Sequence, residues 1–147
     1  MTRGYSAIAL HSPKNTINIG GVLRAAGCYG SSLVVVSGRR YQKQASDTMK
    51  AYRHIPMLHV DDLRSSVPFD CVPVAVDLIE GATPLPEYKH PERAFYVFGP
   101  EDGTLGAKTL EWCRDVISVP TRQCMNLAAT VNVILYDRLA KRGGRSS

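Results

Sequence analysis

The chain has 147 residues, with 18 Lys and Arg against 13 Asp and Glu, for a formal net charge of +5. That length makes one domain able to bury a core, and the basic balance permits a polyanionic partner without demonstrating one. No apolar run reaches the roughly 18 residues a membrane helix needs, and Met1–Tyr5 leads into a strand without the apolar stretch of a signal peptide. Cys28, Cys71, Cys113 and Cys124 form no Cys-x-x-Cys pair and have no histidine at ligand spacing, so a zinc site is not expected and free thiols in a reducing cytoplasm are.

Ala7–Leu10 is the first strand candidate. A helix pattern over Ile19–Tyr29 follows, with Gly30 placed to end it and Asn18 a candidate N-cap. Leu33–Val36 predicts a strand, Asp47–Tyr52 a helix, Met57–His59 a strand, Asp61–Ser66 a helix and Val72–Val76 a strand. Glu80–Glu92 is rich in proline and charge and reads as one long surface loop. Ala94–Phe98 predicts a buried strand stopped by Gly99-Pro100; Ala107–Trp112 a helix; Val116–Val119 a strand. The final helix, Met125–Ala140, carries Leu127, Val131, Leu135 and Leu139 as an apolar stripe and meets Gly143-Gly144. Lys141–Ser147 reads as a disordered tail. The alternation predicts an α/β domain over 1–147, core about 6–140, with a mostly parallel sheet flanked by helices on both faces.

Three stretches carry chemistry. Asn15-Thr-Ile-Asn18-Ile-Gly20-Gly21-Val-Leu-Arg24 follows the first strand and opens a helix. Phe98-Gly99-Pro100-Glu101-Asp102-Gly103-Thr104-Leu105 sets an acid, Glu101, on a glycine-flanked turn at a strand end, a common ligand position in α/β proteins. Ile117-Ser-Val119-Pro120-Thr-Arg122-Gln-Cys124-Met125-Asn126 links the last predicted strand to the last helix. Neither Gly-x-Gly-x-x-Gly nor a Walker lysine is present, which speaks against an unrelated nucleotide-binding enzyme.

In this order the three blocks resemble the motifs of the SpoU/TrmH-type RNA ribose 2′-O-methyltransferases of the SPOUT superfamily, over about Ser6 to Asp137. The resemblance implies a C-terminal deep trefoil knot, which pattern alone would never suggest. It implies S-adenosyl-L-methionine as cofactor, RNA as partner and a homodimer, with neither metal nor membrane. Arg24, Glu101 and Asn126 take the catalytic positions. Val76, Asp77, Leu78, Gly99, Val119, Cys124 and Met125 take the cofactor positions, with Gly99 bare so that the cofactor can lie against backbone. Asn15, Asn18, Arg24 and Arg122 face RNA, and Lys14, Arg39, Arg40 and Lys43 are further basic residues in loops. With no separate RNA-binding module in the sequence, a compact target such as tRNA is favoured over rRNA. A non-catalytic RNA-binding member of the same fold is the alternative.

Arg24 standing alone would read as a surface arginine on an amphipathic helix. A guanidinium stays protonated in nearly any setting, so orienting a phosphate and stabilising a developing alkoxide are its physically available roles. The family pattern of Ser-Leu-Asn or Ser-Met-Asn is here Cys124-Met125-Asn126, a thiol in place of a hydroxyl. The Pro120–Cys124 loop is shorter than in many relatives, and Asp137 after Tyr136 replaces the usual glutamate.

Overall fold

The computed structural model describes residues 4–14, 16–38, 55–100 and 104–142. The predicted helix Asp47–Tyr52, together with Arg39, Arg40, Lys43, Asn15 and Glu101, lies outside them. Among the described residues seven strands form one sheet: β1 (Tyr5–Leu10), β2 (Leu33–Ser37), β3 (Met57–Val60), β4 (Val72–Val76), β5 (Thr83–Pro84), β6 (Arg93–Phe98) and β7 (Asp115–Ser118). The order is β3-β2-β1-β6-β4-β7-β5, and every neighbouring pair is parallel.

Central parallel strands are covered on both faces and so read as continuous apolar runs. Ala7, Ile8, Ala9 and Leu10 of β1 and Ala94–Phe98 of β6 are buried accordingly. The strand period of two splits them between two cores. Ile8, Leu10, Tyr96 and Phe98 pack on one face with α1 (Thr16–Tyr29) and α3 (Leu127–Lys141). Ala7, Ala9, Phe95 and Val97 pack on the other with Leu63, Leu105 and Cys113, against which Leu110 and Trp112 of α2 (Ala107–Trp112) rest. Helices therefore cover both faces.

Gly30, at φ +73°, ends α1 in the left-handed conformation glycine adopts most readily. At Gly21 a Cβ would fall 2.7 Å from the Ala128 Cβ, so the missing side chain is what lets α1 and α3 approach. The stripe on α3 differs from the four-residue reading. Leu127, Val131, Ile134, Leu135 and Arg138 are buried while Leu139 is partly exposed, because the helical period of 3.6 alternates steps of three and four.

Other expectations need correction. The helix α1 begins at Thr16, so Asn18 lies inside its first turn and is not the N-cap. The Asp61–Ser66 helix is a single 3₁₀ turn over Arg64–Ser66, held by Asp62, whose carboxylate accepts from the Arg64 N–H at 3.2 Å. Glu80–Glu92 is not a plain surface loop: it contains β5 and a 3₁₀ turn at Leu85–Glu87, and it buries Leu85 and Tyr88. Lys141 is no tail residue but the last residue of α3, and the helix stops before Gly143-Gly144.

Candidate functional site

In this order β4 sits between β6 and β7, although β6 follows it by about twenty residues and β7 by about forty. The C-terminal ends of the three strands therefore stand side by side. Chain leaving adjacent parallel strands opens a crevice at that edge, where open α/β sheets place their ligands. A pocket of about 230 Å³ occupies it.

Val76, Asp77 and Leu78 leave β4, Gly99 and Pro100 leave β6, and Val119, Thr121, Cys124 and Met125 come from the loop after β7. Thr104 adds to the β6 side, and Leu127 and Thr130 close the wall from α3. All seven residues in the cofactor positions of the sequence motifs thus line one cavity. Asp77 is the one charged side chain among the described lining residues.

Thr104 and Leu105, which lead into α2, lie close against Gly99 at the end of β6. A Cβ at Gly99 would lie 3.2 Å from the Leu105 nitrogen and 3.3 Å from the Thr104 carbonyl carbon. The chain's own packing therefore crowds this position, in addition to the ligand contact expected from sequence. The Leu105 N–H donates to Asp77 Oδ2 at 3.2 Å. On the β7 side, Thr121 Oγ1 donates to the Gln123 carbonyl at 2.7 Å and tightens the short turn that presents Cys124.

Asn126 is the N-cap of α3, with its Oδ1 accepting from the Ala129 N–H at 2.7 Å. The cap engages that oxygen, leaving the amide NH₂ and one lone pair for a ligand. Arg24 is exposed on α1, about 12 Å along the helix from Thr16, and does not line the pocket. Asn18 is half-buried near the start of α1, and Arg122 is exposed in the loop after β7. His11 follows β1, its backbone N–H donating to the Phe98 carbonyl at 2.8 Å. Burial lowers its pKa below the ordinary histidine value.

Sequence reading missed Phe98, Pro100, Thr104, Thr121, Leu127 and Thr130 as lining residues. For Leu127 and Thr130 a signal exists: three residues apart, they share the face of α3 that follows Asn126. It also missed a polar cluster at the opposite end of the sheet. His90 bonds Tyr96 Oη through Nδ1 and Asp137 Oδ2 through Nε2, both at 2.7 Å. Buried Arg138 donates to the carbonyls of Pro91 and Glu92, each at 2.7 Å, and to Tyr96 Oη at 3.1 Å. All four cysteines are free thiols; burial pushes that of Cys113 up to about 12, while Cys28 and Cys124 are exposed. Among the described residues no group of three or more His, Cys, Asp or Glu gathers as a metal site, and no helix is long and apolar enough to cross a membrane.

Comparison with known proteins extends this geometry. An rRNA methyltransferase from Sinorhizobium meliloti superposes with a TM-score of 0.81 at 18% identity, over 95% of this chain and 57% of that one. The SpoU methyltransferase AviRb from Streptomyces viridochromogenes, in complex with the cofactor AdoMet, gives 0.81 at 19% identity, over 99% of this chain and 61% of its own. This chain thus spans less than two thirds of either protein. A structure concerned with 2-OH methylation of C/U34 on tRNA gives 0.80 at 22% identity, over 97% and 99%. No curated protein sequence matches. These likenesses show a common fold. The model of the SpoU rRNA Methylase family matches residues 6–136, nearly the whole chain and all three motif blocks, and the chain belongs to that family.

Proposed function

We propose that this protein is an S-adenosyl-L-methionine-dependent methyltransferase acting on a ribose 2′-hydroxyl of RNA. The observation that carries the reading is the convergence of Val76, Asp77, Leu78, Gly99, Val119, Cys124 and Met125 on one pocket at three adjacent strand ends. The donor set fits the cofactor. Val76, Leu78, Val119 and Met125 offer an apolar slot for an adenine, and backbone at the strand ends offers polar partners. When bound, S-adenosylmethionine supplies a methyl group already activated on a sulfonium.

The chain's own residues then have three tasks. Arg24 grips a substrate phosphate with its planar fork and stabilises the oxygen of a hydroxyl losing its proton. Asn126, fixed by its cap, presents an amide toward ribose or cofactor. Glu101 orients donors around the site. Asn15, Asn18 and Arg122 contact RNA. Arg24 does not line the pocket of its own chain, which fits a homodimer in which the partner completes the RNA site. The exposed Tyr136 of α3 stacks edge-on with Tyr29 of α1 at 6.4 Å and offers an apolar start to that interface. A deep trefoil knot at the C-terminal segment and a cytoplasmic location belong to the same reading. The tRNA preference is supported by the tRNA-related structure, which this chain spans almost end to end.

Calorimetry with S-adenosylhomocysteine is expected to show one site per chain, and light scattering a dimer. Incubation with tRNA and rRNA, followed by mapping of methylated riboses, is expected to place the methyl group on a tRNA 2′-oxygen. Binding of S-adenosylhomocysteine without methyl transfer to any RNA would favour the non-catalytic, RNA-binding reading. No binding at millimolar ligand would refute the assignment.

A further inference from the structure

We propose that Asp77 is a positioning residue whose carboxylate shapes the pocket by holding the Thr104–Leu105 segment that leads into α2, rather than by charge on the bound ligand. This rests on the pocket being the cofactor site and deepens that reading.

Asp77 meets all three walls. It continues β4, its backbone N–H donates to the Ile117 carbonyl of β7 at 3.0 Å, and its Oδ2 accepts from the Leu105 N–H at 3.2 Å. One residue thus ties the β4 end both to its neighbour in the sheet and to the segment that leads into α2. That segment packs closely: Thr104 lines the pocket, Leu105 is buried, and both crowd the bare face of Gly99. A buried backbone N–H without an acceptor is costly. The Asp77 carboxylate is the acceptor for Leu105, and a carboxylate forms the stronger, charge-assisted bond. Glycine at 99 removes the steric obstacle to the same close approach. The two residues, 22 positions apart, serve one conformation.

An asparagine separates the two possible roles. Its Oδ1 accepts from an N–H as a carboxylate oxygen does, but it has no charge. Asp77→Asn is expected to keep slow hydrogen exchange at the Leu105 amide of the ligand-free protein, and to bind S-adenosylhomocysteine and S-adenosylmethionine within about threefold of wild type. Asp77→Ala is expected to speed that exchange and weaken both ligands by about tenfold, the scale of one charge-assisted hydrogen bond. Gly99→Ala, which keeps the carboxylate but adds a Cβ against Thr104 and Leu105, is expected to loosen the same amide, and the double variant to lose less than the two single losses summed. It also keeps the test decisive should Asp77→Ala fold poorly.

Two results overturn the proposal: Leu105 exchange unchanged in Asp77→Ala, or Asp77→Asn losing affinity as fully as Asp77→Ala while its Leu105 amide stays protected. The second would assign Asp77 a direct charge contact with the ligand. If wild-type protein binds neither ligand, the functional reading fails, and exchange in the ligand-free variants still decides the loop role.

Discussion

The two ends of the sheet are built in opposite ways, and α3 spans both. At the C-terminal end, strand ends and the loops that leave them line a pocket, with Leu127 and Thr130 as the helix's contribution. At the N-terminal end, buried side chains saturate one another. An ionised Asp137 can only accept, so His90 Nε2 carries the hydrogen, and Tyr96 then donates to Nδ1 while accepting from Arg138; this tautomer is assigned from the network. Lys141 adds bonds to Asp137 at 2.8 Å, to the Tyr88 carbonyl at 2.7 Å and to the Leu85 carbonyl. The contrast teaches a division of labour. The helix that borders the pocket is anchored at its far end, where Arg138, Asp137 and Lys141 bond the segment before β6 and the turn at Leu85–Tyr88.

The first way to break this comparison acts on the open end and carries the largest effect. Arg24→Ala is expected to lower methyl transfer by about a hundredfold or more, the scale of losing one positioned electrostatic group. Affinity for S-adenosylhomocysteine should stay close to wild type, since Arg24 is outside the pocket. Arg24→Lys should rescue poorly, because a point charge cannot copy the fork. Near-normal turnover in Arg24→Ala would refute the role, and lost cofactor binding would move Arg24 into the donor pocket.

The second acts on the closed end. Arg138→Ala removes donors from the carbonyls of Pro91, Glu92 and Tyr5 and from Tyr96, and is expected to cost about 3 kcal/mol or more in denaturant unfolding. Ligand affinity measured on the fraction that remains folded should change by less than about twofold if the two ends are energetically separate. A large loss of affinity would show that the anchor sets the pocket wall through α3.

The smallest effect is one of pH. Burial lowers the pKa of His90 and outweighs the opposing pull of Asp137, while Lys141 and Arg138 add to the lowering. Tyr96 and the edge-stacked Tyr88 complete its surroundings. A depressed histidine pKa means the unfolded chain takes up the proton first, so its share of stability is present above pH 6.5 and is lost as pH falls from there. His11 and His59 shift the same way through burial. His90→Gln should therefore flatten the acid limb of stability against pH, in part. An unchanged slope would assign that limb to other groups.

Much of the fold was legible because its signals are local. Ala7–Leu10, Val72–Val76 and Ala94–Phe98 are apolar runs bounded by turn residues, and each lies within an observed strand, since a buried parallel strand is apolar on both faces. The family resemblance named seven residues that line the pocket; Gly99, Val119, Cys124 and Met125 stand in the motif stretches, while Val76–Leu78 at the end of β4 carries no motif of its own. The buried character of Glu80–Glu92 was not legible: proline and charge mark turns and solubility, while Leu85 and Tyr88 are buried by elements remote in sequence.

By itself, then, the sequence determined the central strands, the first and last helices and which residue types stand at the strand ends, but not β5 or the 3₁₀ turn at Arg64–Ser66. Tertiary structure alone decided that β4 lies between β6 and β7, bringing Asp77, Gly99 and Val119 to one pocket. It also decided that Asp77 reaches Leu105, 28 residues away, and that His90 reaches Asp137, 47 away. Apolar period and turn chemistry are set by neighbours a few positions apart, so they are written in local order. Strand order and side-chain partnership between distant segments are fixed only when the whole core closes, and they leave no period for a sequence to display.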